Sequence, residues 1–273
     1  RPRPRAAAAV GLPVGAVVGP GTGDNMAAAL GLGLRPGDVA LSLGTSGTVY
    51  AVADRATADV SGHVAGFAGA DGGFLPLVCT LNATKVTDTV AAWLGTDPPG
   101  LAELALAAPP GSGAEGPVLV PYFDGERTPN LPAATGLFAG LRTSTTRPEL
   151  ARAAHDGVLC GLLDGVDALR SVGVTVEGRL VLIGGGARSP AYRQRAADLH
   201  GRPVSVPDSD ETVATGAAVQ AAAVHQRSST SDVADAWELG RGDTVEPAAD
   251  DGGAVRAAYA TTAAEVAAHH QRG

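Results

Sequence analysis

Two short stretches of this sequence carry residues whose types and spacing could do chemistry together. The first is the turn Gly19-Pro20-Gly21-Thr22-Gly23, which delivers Asp24-Asn25. A carboxylate at the mouth of such a turn can act as a base toward a neutral alcohol. The second is Gly44-Thr45-Ser46-Gly47-Thr48, set between the apolar runs Val39 to Leu43 and Val49 to Val52. A hydroxyl-rich loop between two strands can turn backbone amides and side-chain hydroxyls toward phosphate oxygens. A phosphate cradle and a base together suggest phosphoryl transfer from a nucleotide to a hydroxyl. Each stretch also has a plainer reading, Asp24 as a helix N-cap and Gly44 to Thr48 as an ordinary hairpin turn. For Asp24 both readings can hold at once.

The chain must be long enough to position such groups. Its 273 residues are 45% hydrophobic but only 4% aromatic, so the expected core is built from small aliphatic side chains in one large domain or two small ones. A formal net charge of -8 excludes a surface that attracts nucleic acid or an anionic membrane. The only basic run, Arg1 to Arg5 alternating with proline, reads as a disordered terminal stub. Cys79 and Cys160 are too few and too far apart for a disulfide framework or a zinc site. They read as buried free thiols of a cytosolic protein, so the expected location is cytoplasmic. No apolar run reaches about 18 residues, and no charged-then-apolar leader opens the chain. His63, His155, His200, His225, His269 and His270 show no metal-ligand spacing, and no metal-binding residue is assigned. Trp93 and Trp237 read as core or partly buried packing.

The elements follow in order. Arg5 to Val10 reads as the end of a helix closed by Gly11, and Ala16 to Val18 as a short strand ahead of the first turn. A helix of small residues begins at Asp24. Asp38 to Cys79 reads as an antiparallel meander, its last two strands, Ala65 to Ala68 and Phe74 to Cys79, joined at Asp71-Gly72-Gly73. Helices are expected over Asn82 to Leu94, with Trp93 on the buried face, and over Leu101 to Ala107, stopped by Pro109-Pro110-Gly111. Ser112 to Gly116 reads as loop and Val118 to Tyr122 as a strand leading into a polar loop, Asp124 to Asn130. There Arg127 could reach a cleft or pair with Asp124 or Glu126. Thr146 caps a long helix to about Arg170. Strand Arg179 to Ile183 runs into Gly184-Gly185-Gly186, then a helix through Leu199, strand Val204 to Val206, and a small-residue helix from Glu211 to Val224. The acidic run Asp208 to Glu211 is expected to cap that helix. Ser231 to Trp237 and Ala254 to Ala268 read as surface helices. Neither glycine turn has the Gly-x-Gly-x-x-Gly spacing of a dinucleotide fold, so a dinucleotide-dependent oxidoreductase ranks low. A meander followed by helix–strand–helix units predicts mixed α/β with one central sheet.

Taken together, Gly23-Asp24-Asn25, Leu41 to Thr48, Leu81-Asn82-Ala83, Gly125 to Pro129, Gly184 to Gln194 and Ala214 to Ala218 resemble the FGGY carbohydrate kinases, in order, from about Val14 to Ala268. The motifs are worded most like the branch of that family that acts on D-xylulose. The resemblance implies an α/β fold of the actin-like ATPase (ribonuclease H-like) type and an ATP- and Mg²⁺-dependent kinase converting D-xylulose to D-xylulose 5-phosphate. It implies Asp24 as general base toward the sugar hydroxyl and Asn25 as its sugar-contacting neighbour. Gly44, Thr45, Ser46 and Gly47 correspond to a phosphate-binding loop, and Gly185, Gly186 and Ser189 to the adenosine motif. The helices after Asp24 and after Glu211 resemble a pair that crosses at an interdomain hinge. Family members also have a first domain with an Asp-x-Gly-Thr hairpin that helps place Mg²⁺, and no such hairpin occurs here. The expectation is therefore the C-terminal half of a sugar kinase. Residues 1–37 would form the tail of the first domain, with the catalytic turn and hinge helix, and residues 38–273 the nucleotide-binding domain. Such a half would work with a first domain or self-associate, for instance as a homodimer. The competing readings are a kinase for glycerol, gluconate or another sugar, and a non-catalytic nucleotide-binding remnant.

Overall fold

Side chains alternate between two faces along every central strand, and this alternation organises the molecule. Strands β1 (Val39–Leu43), β2 (Gly47–Ala51), β3 (Leu77–Thr80) and β6 (Leu180–Ile183) send Val39, Leu41, Leu43, Val49, Ala51, Val78, Leu180 and Leu182 into the larger core cluster. Ala40, Tyr50, Leu77 and Val181 pack in a second cluster on the other face. A period of two over a sheet buried on both sides produces this division. The computed structural model describes residues 3–13, 15–109, 112–209, 211–249 and 251–270, with backbone alone at 112 and 114. Arg1, Pro2, Val14, Pro110, Gly111 and Asp210, which belong to stretches read from the sequence, lie outside the described residues.

The sheet runs β3-β2-β1-β6-β7-β8, with β7 at Val204–Pro207 and β8 at Gly242–Val245. β3, β2 and β1 are an antiparallel meander, β6 and β7 join parallel to β1, and β8 closes the edge antiparallel to β7. The parallel join carries a half-buried ion pair. Asp38, just before β1, accepts from the Arg179 backbone N–H at 2.8 Å and from Arg179 Nη2 at 2.6 Å. Arg179 also donates to the carbonyls of Gly33 and Gly240, at 3.1 and 3.2 Å.

The larger core lies under α3 (Thr84–Trp93), α4 (Pro98–Leu106), α6 (Arg147–Ser171), α7 (Pro190–His200) and α10 (Gly252–His270). Helix α6 starts in a full capping box, Thr146 and Glu149 each satisfying the other's backbone N–H. The opposite face carries α2 (Asp24–Gly31) and α8 (Thr212–Gln226), which cross in backbone contact. A Cβ on Gly31 would stand 1.9 Å from the Thr212 carbonyl oxygen, and one on Gly216 1.7 Å from that of Ala27. The small-residue helices expected to cross therefore do so. Short helices α1 (Pro4–Ala9), α5 (Ser112–Glu115) and α9 (Thr230–Ala236) and the hairpin of β4 (Val118–Val120) with β5 (Leu137–Ala139) complete the order.

Several expectations are corrected. Ala16 to Val18 is unpaired coil with Val17 and Val18 exposed, since no neighbouring described strand offers it a ladder. Ala65 to Ala68 makes isolated bridges to Leu77 and Phe74 in place of a strand. Ser112–Glu115 is a helical turn, and β5 and β8 were not foreseen. Cys79 is half-buried and only Cys160 is fully enclosed; both are free thiols. Trp93 is 62% exposed, leaning on Phe123 with ring centroids 5.3 Å apart, and Trp237 is 44% exposed. The N-cap of α8 is Glu211, with no side-chain cap bond. Among the described residues no helix is long and apolar enough to cross a membrane.

Candidate active site

Both sequence motifs reach the end of the sheet where the central strands β1 and β6 finish, but on opposite faces. Gly184 follows β6 at φ +86, and a Cβ there would meet the Leu43 backbone at 2.7 to 3.1 Å. Only glycine fits such a backbone, and its use draws the turn after β6 against the end of β1. The turn continues as a 3₁₀ turn, Gly185–Arg188, and Ser189 then caps α7 through the Tyr192 N–H, 3.4 Å away. On either side of this turn lies a cleft.

The cleft on the α2 face, about 260 Å³, is lined by Asp24, Asn25, Ser42, Tyr50, Gly184 and Arg193 among others. Asp24 is not the N-cap of α2; Gly23 holds that place and Asp24 is the first helical residue, exposed, where a negative charge suits the helix dipole. Its Oδ1 accepts from the Asn25 backbone N–H at 2.8 Å and from Asn25 Nδ2 at 3.2 Å. Oδ2 has no partner among the described residues and is free for a ligand proton. Tyr50, below it, is fully buried, and its Oη has no hydrogen-bond partner among the described residues. Burial first, and then the Asp24 charge, push its phenol well above the ordinary range, so it stays a neutral donor.

The cleft on the other face, about 430 Å³, is lined by Leu43, Gly44, Thr45, Thr84, Thr87, Asp88, His155, Gly185, Gly186, Ser189 and Tyr192 among others. The hairpin carbonyls of Thr45 and Gly44 accept from the Ala83 and Thr84 amides at 3.3 and 2.9 Å, fastening the loop to the start of α3. Among the described residues, no backbone carbonyl accepts from the Thr45 or Ser46 amide. A Cβ on Gly185 would meet nothing within 4 Å, so this missing side chain leaves room for a ligand. Gly186 is different: its Cβ would press on Leu43 and Thr84.

The structure thus brings Gly44, Thr45, Gly185, Gly186 and Ser189 to one cleft and Asp24 and Asn25 to the other. Ser46 is exposed at the hairpin tip and Gly47 is buried in β2 against Leu162 and Thr80; neither lines either cleft. Tyr50, Ser42, Arg193 and His155 were not singled out for the site. Alternation along β2 could have marked Tyr50, because it faces the side opposite Val49. His155, on the inner face of α6, carried no local signal. Arg127 lines neither cleft and has no ion pair among the described residues: Asp124 pairs with Lys85 at 3.1 Å, and Glu126 is occupied by two backbone amides and Asn82. Buried Glu126 accepts from the Leu81 and Arg127 amides at 2.6 and 2.7 Å and from Asn82 Nδ2 at 2.9 Å, which locks two of the motifs together. No group of three or more His, Cys, Asp or Glu residues that could hold a metal ion occurs among the described residues.

A meander leading into parallel strands, with a glycine-lined cleft behind it and a carboxylate on a crossing helix, defines an actin-like ATPase-type domain. Residues 39–225 match the C-terminal domain of the FGGY family of carbohydrate kinases, and the chain belongs to that family. It is 50% identical over 232 residues to the xylulose kinase of Streptomyces rubiginosus, covering 85% of this chain and 46% of that protein. It is 48% identical over 238 residues to the xylulose kinase of Streptomyces coelicolor, covering 86% of this chain and 47% of that protein. The crystal structure of xylulose kinase from Bifidobacterium adolescentis superposes with a TM-score of 0.75 at 45% identity, over 89% of this chain and 47% of that one. The structure of the Rhodospirillum rubrum enzyme gives 0.85 at 28%, over 98% and 55%. The chain spans about half the length of the curated relatives it matches.

Proposed function

We propose that this chain carries the nucleotide-binding and base-bearing part of an ATP-dependent kinase that converts D-xylulose to D-xylulose 5-phosphate. The observation that carries the reading is the free Oδ2 of Asp24 on a cleft separated only by the Gly184 turn from a second, glycine-lined cleft. Similarity to several xylulose kinases supports the choice of sugar, and a gluconokinase of Bacillus subtilis at 31% identity marks gluconate as the second candidate.

Gly44, Thr45, Gly185, Gly186 and Ser189 would hold the nucleotide, with Ser46 at the hairpin tip contributing its amide and Gly47 setting the hairpin's path. The open space at Gly185 fits such a group. Bound Mg²⁺-ATP supplies the phosphoryl group and the neutralisation of its charge. The described residues make no protein cage for the ion, so no step is assigned to it. Asn25 anchors the Asp24 carboxylate and lines the sugar side. Asp24 Oδ2 takes the proton of the attacking sugar hydroxyl as that oxygen bonds to the γ-phosphorus and the bond to the β-phosphate oxygen breaks. Transfer of this kind is mostly positioning and charge stabilisation.

The same reading divides the chain into residues 1–37 and 38–273. It places the remaining sugar contacts in the half of the relatives' length that this chain does not match, supplied within one polypeptide, in trans or by self-association. A cytoplasmic location agrees with two free thiols. The test is ADP formation from Mg²⁺-ATP and D-xylulose, with and without an added first domain, for wild type and Asp24→Ala. The variant should lose about 10²–10⁴-fold in turnover and bind ATP normally. Equal turnover by the two proteins refutes the assignment of Asp24. ATP binding with no sugar phosphate under either condition would favour a non-catalytic nucleotide-binding module.

A further inference from the structure

His155 sits in the middle of α6, 2% exposed, yet its ring lines the 430 Å³ cleft beside Gly185, Gly186 and Ser189. Its Nδ1 lies 2.9 Å from the Ala151 carbonyl oxygen. A carbonyl can only accept, so Nδ1 carries the proton. Burial, the largest influence, lowers the pKa of the ring below the ordinary histidine value, outweighing the Ala151 bond and the Asp156 charge, with Arg195 adding to the lowering. The imidazole is therefore neutral, and Nε2 presents a lone pair. The ring is braced edge-on by Tyr192, with centroids 4.6 Å apart, and the Tyr192 hydroxyl is held by Thr87 Oγ1 at 3.1 Å. Among the buried polar side chains of this cleft, Thr87 and Tyr192 are committed to each other. His155 Nε2 has no partner among the described residues.

We propose that His155 Nε2 is a specificity-determining acceptor that reads the exocyclic amino group of the bound nucleobase, as in the 6-amino group of adenine. The inference rests on the reading of this cleft as the nucleotide site and extends it to the choice of base. An amino group satisfies the Nε2 lone pair. A base with a carbonyl oxygen at the same position sets two lone pairs against each other and leaves a desolvated acceptor unpaired. Hypoxanthine differs from adenine in this way, which makes ITP the discriminating probe.

The experiment measures dissociation constants of ATP and ITP for the whole chain and for His155→Leu and His155→Gln. Wild type should prefer ATP by about tenfold. His155→Leu should bring the two constants to within about twofold, and His155→Gln, whose amide oxygen can accept, should keep part of the preference. Nitrogen NMR of wild type gives a readout that needs no variant to fold. The Nε2 resonance of the Nδ1–H tautomer should move on adding ATP and stay in place on adding ITP. A preference unchanged in His155→Leu, or an Nε2 resonance unmoved at saturating ATP, overturns the role of His155 while leaving the nucleotide site intact. Failure of both nucleotides to bind wild type is a different result, and it removes the nucleotide reading together with this inference.

Discussion

Replacing Gly216 by alanine would put a methyl carbon 1.7 Å from the Ala27 carbonyl oxygen, 2.5 Å from the carbonyl carbon and 3.0 Å from the Ala27 Cα. Two effects of opposite sign compete. Alanine in place of glycine inside a helix favours folding by about 1 kcal/mol. Overpacking costs about 1–3 kcal/mol where neighbours can yield, and more where they cannot. Here the obstructing atoms are backbone of α2, with no side chain to rotate away, so α2 and α8 must part by about 1 Å or more. The overpacking term wins, and a net loss of about 2–3 kcal/mol is expected. For a protein of this size that is a fall of about 4–12 °C in Tm. Gly161→Ala in α6 is the control, since a Cβ there meets only Tyr259 Oη, at the ordinary distance of 3.4 Å. It should keep the helix-propensity gain. Urea unfolding of wild type and both variants, followed by far-UV circular dichroism, gives the two free-energy differences. The helix-crossing argument is refuted if Gly216→Ala unfolds at the same urea concentration as wild type or higher.

Two further outcomes concern buried charge. Arg195 holds Asp156 in a two-pronged pair, at 2.7 and 3.1 Å, and Asp198 at 2.8 Å, tying α6 to α7; Arg195→Met leaves Asp156 only Arg152, 3.5 Å away, and should cost about 3 kcal/mol in a urea titration. His200 is held at about 4 against an ordinary 6.5 by partial burial and then by the charges of Arg202, Arg256 and Arg170, and burial shifts His155 the same way. Folded-state values below the unfolded one mean that the unfolded chain binds more protons on acidification. The stability these groups contribute is therefore complete above about pH 6.5 and is lost as pH falls toward 4. After discounting for the exposure of His200, its share is about 1–2 kcal/mol, and His200→Gln should flatten that part of a stability profile measured between pH 7 and pH 4.

The central sheet was legible because its residues alternate or run apolar in short blocks bounded by glycine, as Val39 to Leu43 and Leu180 to Ile183 do. The crossing helices were legible from their small residues, and the start of α6 from Thr146 and Glu149. What escaped depended on partners far away in sequence. Ala16 to Val18 is apolar enough for a strand but has no described neighbour to pair with, whereas β8 is Gly-Asp-Thr-Val, polar by composition and a strand only because it lies along β7. Asp24 could be located from its turn, but the N-cap slipped by one residue to Gly23. Of the site, the glycines and hydroxyls announce themselves locally. Tyr50 and His155 do not, since each is defined by the space it faces after the sheet and α6 are packed.

This division has a mechanical consequence. Asp24 begins α2, which rests on α8 with no side chains between the two backbones at Gly31 and Gly216. The glycine-lined cleft is built on the other face of the sheet, from the β1–β2 hairpin and the turn into α7. Between the two stands the turn after β6, whose Gly184 and Gly186 both press on Leu43. The packing that places the Asp24 carboxylate is therefore separate from the packing that shapes the glycine-lined cleft. On the proposed function, base and phosphoryl donor are placed by different halves of the core, so their alignment depends on packing at the helix crossing and at the Gly184 turn more than on any hydrogen bond of Asp24 itself.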